Sequence, residues 1–335
     1  MRAMTCGVPQ GSVLGPLLFL IFINDMPKAT DLFTLLFADD TTYQISGSNL
    51  PELYEKANVE LAKAAVWFQA SKLSLNVKKT KYILFRNKKM SVDWTQLNLK
   101  LGTEKVERIG SGCKDSTFKF VGHFLDEFVS WDEHIKHVTS KLASANYAIA
   151  RTRNFLPPKI RKTLYNSLFR SHAEFGILAW GCSTQSKLKK IVTLQKKCIR
   201  NVANVGYRCH SDPIFSKLGL LKFTDLFKAN VCNFIHNFHQ NKLPGSFNGM
   251  FQLQRNTEQI IIRNGHDNYV VSNPNHRINL HFPRPTFIPI WNSLSDDIKA
   301  TGSHKVFKKQ CKDKFLESYP TSVNCDIPHC EYCID

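Results

Sequence analysis

Two adjacent carboxylates, Asp39 and Asp40, stand between two short β-prone arms in FTLLFADDTTYQI, residues 33–45. Side chains alternate across a strand, so neighbours point to opposite faces. Only a tight turn brings both acids toward one site, and a hairpin with a polar Asp39-Asp40 turn supplies it. Carboxylates at a hairpin tip suit Mg2+, which takes one or two of them and completes its octahedron with water and substrate phosphate. Aspartate is also a good turn former in its own right, so the pair alone leaves ligand and turn both open. Upstream lies Gly7-Val8-Pro9-Gln10-Gly11-Ser12-Val13-Leu14-Gly15-Pro16. Glycine lets backbone approach a ligand closely. Gln10 and Ser12 carry hydrogen-bonding side chains, and the loop opens into a helix whose N-terminus favours anions. A loop that leads into a helix and binds nothing is the competing reading.

The elements that must position these groups follow from periodicity. Pro16 fits the first position of a helix, and Leu17–Asp25 continue it as an apolar, buried segment that ends before Pro27. Residues 52–73 form an amphipathic helix with Leu53, Ala57, Leu61, Ala64 and Phe68 on one face. Tyr82–Phe85 and the stretch around Phe118–Phe124 read as strands, so this half is α+β. From Trp131 the pattern turns helical, with Ile135, Val138, Leu142 and Ile149 inward. Pro157-Pro158 break the chain. A second helix is expected to bury Ile160, Leu164 and Leu168 and to expose Lys159, Arg161, Lys162 and Arg170. A third, over about 186–202, turns Leu188, Ile191, Cys198 and Val202 to the core. Its Lys189, Lys190, Lys196 and Lys197 then face solvent, a row suited to nucleic-acid backbone. Residues 244–290 read as loops with short strands, and a last helix runs from Lys305 to Phe315.

Charge narrows the partner. Forty-five Lys and Arg against 27 Asp and Glu leave +18, an excess that points to a polyanion, most commonly nucleic acid. Ten cysteines lack the density of a disulfide scaffold, so an intracellular protein with reduced thiols is expected, in the nucleus, the cytoplasm or both. The apolar run Leu17–Ile23 is too short to span a bilayer, and no small-residue cleavage site follows it. The tail places Cys325, Cys330 and Cys333 near one another, with His329 and Cys311 in the vicinity. Three thiolates and a histidine suit tetrahedral Zn2+, against the competing reading of free cysteines in a frayed terminus.

The ordered segments together resemble the reverse transcriptases of non-LTR (LINE-type) retrotransposons. GVPQGSVLGPLLFLIFINDMP resembles that family's motif B and LLFADDTT its motif C. WFQASKLSLNVKKTKYILF resembles motif D, with Asn76-x-x-Lys79-Thr80, and FKFVGHFLDEFVSWDEHI resembles motif E, the primer grip. YNSLFRSHAEFGILAWG, KLKKIVTLQKKCIRNV and IPIWNSLSDDIKATGSHKVFKKQCKDKF resemble the thumb and C-terminal region of the same elements.

The resemblance implies an α+β fold: part of a right-hand polymerase palm over residues 1–128, thumb-like helices over 129–180, a basic, mostly helical region over 181–320 and a Cys-rich tail over 321–335. It implies RNA-templated DNA synthesis with two Mg2+ ions, an RNA template, a DNA primer or target, and deoxynucleotide triphosphates. Asp39 is then the principal metal ligand and Asp40 a second carboxylate near metal or primer. Gln10, Gly11 and Ser12 lie against template and incoming nucleotide. Lys79 is a candidate proton donor to the leaving pyrophosphate, with a plain surface lysine in the basic run Lys78–Lys81 as the competing reading, and Phe120, Val121 and Gly122 form the primer grip. The pattern departs from the family at the front. Motif B begins within ten residues of Met1, so the motif A aspartate and the fingers are expected to be missing. A catalytically inactive remnant that only binds RNA or DNA is the alternative.

Overall fold

A computed structural model describes residues 11–253, 268–271 and 283–323, together with Tyr332. The chain divides into two units, one of residues 1–120 and 125–130, the other of residues 121–124 and 131–335. The fold is α+β.

The first unit begins with α1 (Gly15–Ile23), whose first turn holds Pro16. The Ser12 hydroxyl accepts the Gly15 N–H at 3.1 Å and so caps the approach to this helix. A 3-10 turn over Met26–Ala29 leads to β1 (Phe33–Phe37) and β2 (Asp40–Gln44), an antiparallel hairpin. The long helix α2 (Leu50–Ala70) follows. Next, β3 (Lys81–Ile83) pairs in parallel with the later β6 (Glu107–Ile109), and β4 (Lys100–Leu101) and β5 (Glu104–Lys105) form a small hairpin between them. The strands β7 (Thr117–Phe120) and β8 (His123–Asp126) make a further two-stranded sheet, and the division between units passes through its turn.

Ala57, Ala64 and Phe68 are buried along α2, as their spacing predicts, with Leu53 and Leu61 half-buried beside them. Ala64 and Phe68 join Ile23 and Met26 in a small core, against which Phe19, Leu36, Tyr43 and Trp67 pack. The expected burial of α1 does not hold. Leu17, Leu18, Leu20, Ile21 and Phe22 are between 47% and 66% exposed. A helix apolar all round buries only the stripe that meets a neighbour, and here that stripe is Phe19 and Ile23, four residues apart.

The second unit is helical: α3 (Asp132–Arg151), α4 (Pro158–Leu164), a π-helical stretch Tyr165–Arg170, α5 (Ser171–Glu174), α6 (Ile177–Trp180), α7 (Gln185–Ala203), α8 (Ser211–Leu218), α9 (Phe223–His239), α10 (Pro283–Asn292), α11 (Asp296–Lys299) and α12 (His304–Glu317). Ile135, Val138, Leu142 and Ile149 enter one apolar core with Leu188, Ile191, Cys198 and Val202. The helices α3 and α7 run parallel. Lys187 pairs with Asp132 at 2.7 Å near their N-terminal ends, and Asn201 donates to Asn146 at 2.9 Å near their C-terminal ends.

Two segments of this unit differ from their expected form. After Pro158 the buried line is Arg161, Tyr165, Phe169 and Ala173, whereas Ile160 and Leu168 are 45% and 38% exposed and Leu164 is only half-buried. The wider π turn keeps residues four apart on one line, and Arg161 is drawn inside by three backbone carbonyls. Within the region read as loops, Pro283–Asn292 is a helix despite Pro289 in its interior. Burial of Phe287, Ile288 and Trp291 outweighs the missing backbone donor.

A cluster of rings closes the start of this unit. His123 stacks on Phe175 at 5.0 Å and lies 4.9 Å from His134, which is 1% exposed. Gly176 has φ +59°, and a Cβ there would meet the His123 Nε2 at 1.7 Å, so only glycine fits. The Phe124 N–H donates to His134 Nδ1, and His134 Nε2 has no hydrogen-bond partner among the described residues. Burial, reinforced by His123 and His137, draws the His134 imidazole down to about 4. The native state thus holds this ring neutral, and its contribution is complete above the unfolded value of about 6.5. Below that pH the unfolded chain takes the proton first, and stability falls until the native pKa is passed. Unfolding monitored between pH 7.5 and pH 5 is expected to show a loss of about 2 kcal/mol from this group. The slope should be shallower in His134→Gln, and an equally steep profile in that variant would remove His134 from the account.

Candidate metal and nucleic-acid site

The β1–β2 ladder places Phe37 directly opposite Asp40, so the two-residue turn is Ala38-Asp39 and not Asp39-Asp40. Asp39 occupies the turn and Asp40 opens β2. Cross-strand partners share a face. Asp40 therefore lies on the face of Phe33, Leu35 and Phe37, which are 43–64% exposed, while Leu36 and Tyr43 turn to the core. Ala38 has φ +51°, a conformation usually left to glycine. Such a residue carries strain of about 1–3 kcal/mol, a burden that concentrates at functional turns.

Both carboxylates are exposed. Among the described residues no group of three or more His, Cys, Asp or Glu is placed to enclose a metal. The oxygen donors present are the Asp39 carboxylate in the turn and the Asp40 carboxylate at the start of β2, each open to solvent. That suits an ion such as Mg2+, which keeps several waters and takes the rest of its oxygens from substrate.

The approach to the hairpin is fixed by Glu60, which sequence reasoning missed. Its carboxylate is 4% exposed and accepts Thr30 Oγ1 at 2.9 Å, the Asp31 N–H at 2.7 Å and Lys63 Nζ at 2.6 Å. The Lys63 ammonium, then the Asp31 amide, bring its carboxyl down to about 2. A signal existed, because residue 60 falls on the buried stripe of α2 between Ala57 and Ala64, where a charge needs partners.

The remaining candidates occupy separate local structures. Asn76 closes a turn in which its Oδ1 accepts the Lys79 N–H at 3.2 Å and its carbonyl accepts Thr80 Oγ1 at 3.0 Å, leaving the Lys79 side chain exposed. Gly11 has φ +86° and open space where a Cβ would stand. Phe120 ends β7, and Val121 and Gly122, with φ +42° and +85°, form the two-residue turn before β8. Positive φ at both positions is the tightest hairpin geometry, and a β-branched valine there is an outlier. No hydrogen bond or ion pair among the described residues joins Ser12, Lys79 or Phe120 to the Asp39-Asp40 segment.

In α7, Lys189, Lys190, Lys196 and Lys197 are all exposed and the opposite face is buried. Gln195 sits in that buried face, donating to Tyr165 Oη and the Leu221 carbonyl and accepting the Phe223 N–H at 2.7 Å. Gln10, Cys325, Cys330 and Cys333 lie outside the described residues. Cys311 is buried in α12 beside the Cys232 thiol, whose pKa that contact and burial push up. It packs in the core of the helical unit.

Residues 1–125 match the family of reverse transcriptases, RNA-dependent DNA polymerases. The match supports a reverse transcriptase domain over these residues. The chain is 25% identical over 256 residues to the RNA-directed DNA polymerase from mobile element jockey of Drosophila melanogaster, covering 72% of this chain and 27% of that protein. It is 23% identical over 236 residues to the jockey polymerase of Drosophila funebris, covering 67% of this chain and 25% of the relative. The chain thus spans about a quarter of the length of these relatives, and the similarity supports a LINE-type enzyme. No solved structure matches it significantly. Among the described residues, no helix is long and apolar enough to cross a membrane.

If Glu60 anchors the hairpin, Glu60→Gln should speed amide exchange of β1 and β2 about tenfold at neutral pH, because a charged acceptor holds its donors more tightly than an amide. In the parent the same loosening should appear as pH falls from about 4.5 toward 2, where the carboxylate takes its proton. Unchanged exchange in the variant would assign the anchoring elsewhere.

Proposed function

We propose that this chain is the palm, thumb and C-terminal part of a LINE-type RNA-directed DNA polymerase, acting on an RNA template, a DNA primer and deoxynucleotide triphosphates. The observation that carries the reading is the Asp39-Asp40 hairpin inside the segment that matches the reverse transcriptase family. Asp39 and Asp40 hold Mg2+, which supplies charge neutralisation at the reacting phosphate oxygens. Gln10, Gly11 and Ser12 lie against template and nucleotide, with bare backbone at Gly11. Lys79 delivers a proton from Nζ to the leaving pyrophosphate. Phe120, Val121 and Gly122 hold the primer end, and the α7 lysines hold backbone phosphates. The thiols of Cys325, Cys330 and Cys333 bind Zn2+, and equal zinc content with and without residues 321–335 would discard that assignment.

A second reading is a remnant that binds nucleic acid without polymerising, favoured by the absence of a third carboxylate beside the hairpin among the described residues. Nucleotidyl transfer of this type positions two ions about 3.5–4 Å apart, and one turn with two acids does not surround both. Primer extension on an RNA template is expected to give no product with the 335-residue chain. A longer polypeptide that supplies a further carboxylate should give product, abolished by Asp39→Ala. Robust synthesis by the 335-residue chain would show that Asp39 and Asp40 suffice.

The α7 lysines predict a salt effect. Each phosphate contact releases counterions, so removing one lowers the slope of log affinity against log salt by about 0.7–0.9. Replacing Lys189, Lys190, Lys196 and Lys197 together by alanine should therefore lower the slope by roughly 3. An unchanged slope would make this row a solvated helix face.

A further inference from the structure

Between Glu133 and Asp212 the chain carries fifteen Lys and Arg and a single acid, Glu174. Fourteen of its eighteen net positive charges therefore fall in residues 134–211. Glu174 is itself neutralised, since Arg170 donates to it at 2.9 Å. The C-terminal ends of α3 and α7 meet in this region, each running into a short loop. The loop after α3 carries Phe155, 83% exposed, and the loop after α7 carries Tyr207, 79% exposed. Arg151, Lys159 and Arg208 are exposed around them.

These loops are held rigidly beside one another. Arg153 donates to Asn204 Oδ1 at 2.7 Å and to the Val205 carbonyl at 3.2 Å, tying the first loop to the second. From beneath, Arg161 donates to the carbonyls of Arg153 and Leu156 on one side and of Val202 on the other. Within the first loop, Thr152 accepts the Phe155 and Leu156 amides. Exposed single apolar residues are ordinary. Two large rings, each about four-fifths exposed, on neighbouring loops braced by two arginines are a presented surface. Ordering them at an interface costs little entropy, because the backbone is already fixed.

We propose that Phe155 and Tyr207 form a stacking platform for unpaired bases of a single-stranded nucleic acid, whose phosphates lie along Arg151, Lys159 and Arg208. Aromatic faces exposed within a basic surface are what unpaired bases recognise, since every base offers a π-face and the backbone offers charge. A duplex keeps its bases stacked internally and cannot use the rings. A protein partner fits less well, because interface cores are depleted of charge and the charged residues of this stretch are almost all cationic. The platform rests on the nucleic-acid reading above for its class of partner, but on residues different from the α7 lysines.

The test uses the full chain, with fluorescence anisotropy on labelled oligouridine RNA, oligothymidine DNA and a duplex of equal length. Phe155→Ala and Tyr207→Ala should each weaken binding of both single strands about tenfold, within the range of one base–aromatic stack. Duplex affinity should stay within about twofold, and the salt slope should not move, because no phosphate contact is lost. Phe155→Trp and Tyr207→Phe should retain single-strand affinity. Unchanged single-strand binding in the alanine variants, or equal losses on duplex and single strands, would overturn the platform. If those variants behave as the parent while loss of the α7 lysines flattens the salt slope, the platform alone fails. If the parent binds none of the three, the nucleic-acid reading fails with it.

Discussion

Arg161 is 3% exposed, and its guanidinium is directed at backbone, not at a carboxylate. The Val202 carbonyl accepts Nε at 2.8 Å, and Nη1 reaches the carbonyls of Leu156, at 2.6 Å, and Arg153. These oxygens sit at or just beyond the C-terminal ends of α7 and α3. The last carbonyls of a helix lack partners within it, and the aligned peptide dipoles make that end negative. One cation therefore caps the end of α7 and ties it to the turn that follows α3. Burial pulls the guanidinium pKa down, yet arginine stays charged at any pH the fold survives. The π turn that follows carries Tyr165 and Phe169 into the core behind Arg161. The helical unit is thus arranged around a charge that its sequence pattern would assign to solvent.

The other unit is organised by charges of the opposite sign and has far less apolar material behind them. Glu60 collects two donors from the approach to β1 and one from Lys63. Glu127, 2% exposed, is held by Arg86 at 3.1 Å and by the Ser111 amide at 2.8 Å, while Arg108 stacks on Trp94 at 3.6 Å. Burial raises the Glu127 pKa, but the Ser111 and Arg86 hydrogen bonds outweigh it and hold the carboxyl below its ordinary range. Among the described residues the sheets here are all two-stranded, and isolated pairs of strands are marginal. The ion-pair and amide contacts therefore matter more to local order than in the helical unit. The exposed faces of α1 and β1 both carry large apolar side chains.

What could be read from sequence follows a physical line. Segments whose burial is decided by their own periodicity were legible: α2, α3, α7 and the β1–β2 hairpin. The segments misread are those decided by tertiary partners. Ile160, Leu164 and Leu168 have an apolar spacing as good as that of α3, but three carbonyls around Arg161 rotate the helix away from it. The α1 residues are apolar enough for a core, but burial depends on what lies opposite, which periodicity does not encode. The turn of the candidate site was misplaced by one residue because Asp39-Asp40 is the better turn by composition, whereas the ladder places a strained Ala38 there. Glu60 and His134 escaped notice for a related reason. Each is a polar residue on an inward stripe, and its role is visible only with its partners.

The border between the units is not a single point on the chain. It is crossed after Phe120, again after Phe124 and a third time after Ser130. Residues 121–124 belong with the helices, although the segments on either side belong with the small sheets. No truncation at one peptide bond can therefore yield either unit whole. A fragment ending at Phe120 leaves His123 absent from its place over Gly176, and one ending at Ser130 carries four residues whose packing partners are gone. The two units are threaded through each other in sequence, as two cloths are by one seam. Insertion or deletion in the turn at Val121-Gly122 would shift residues on both sides at once, so this short stretch should tolerate changes of length less well than the loops within either unit.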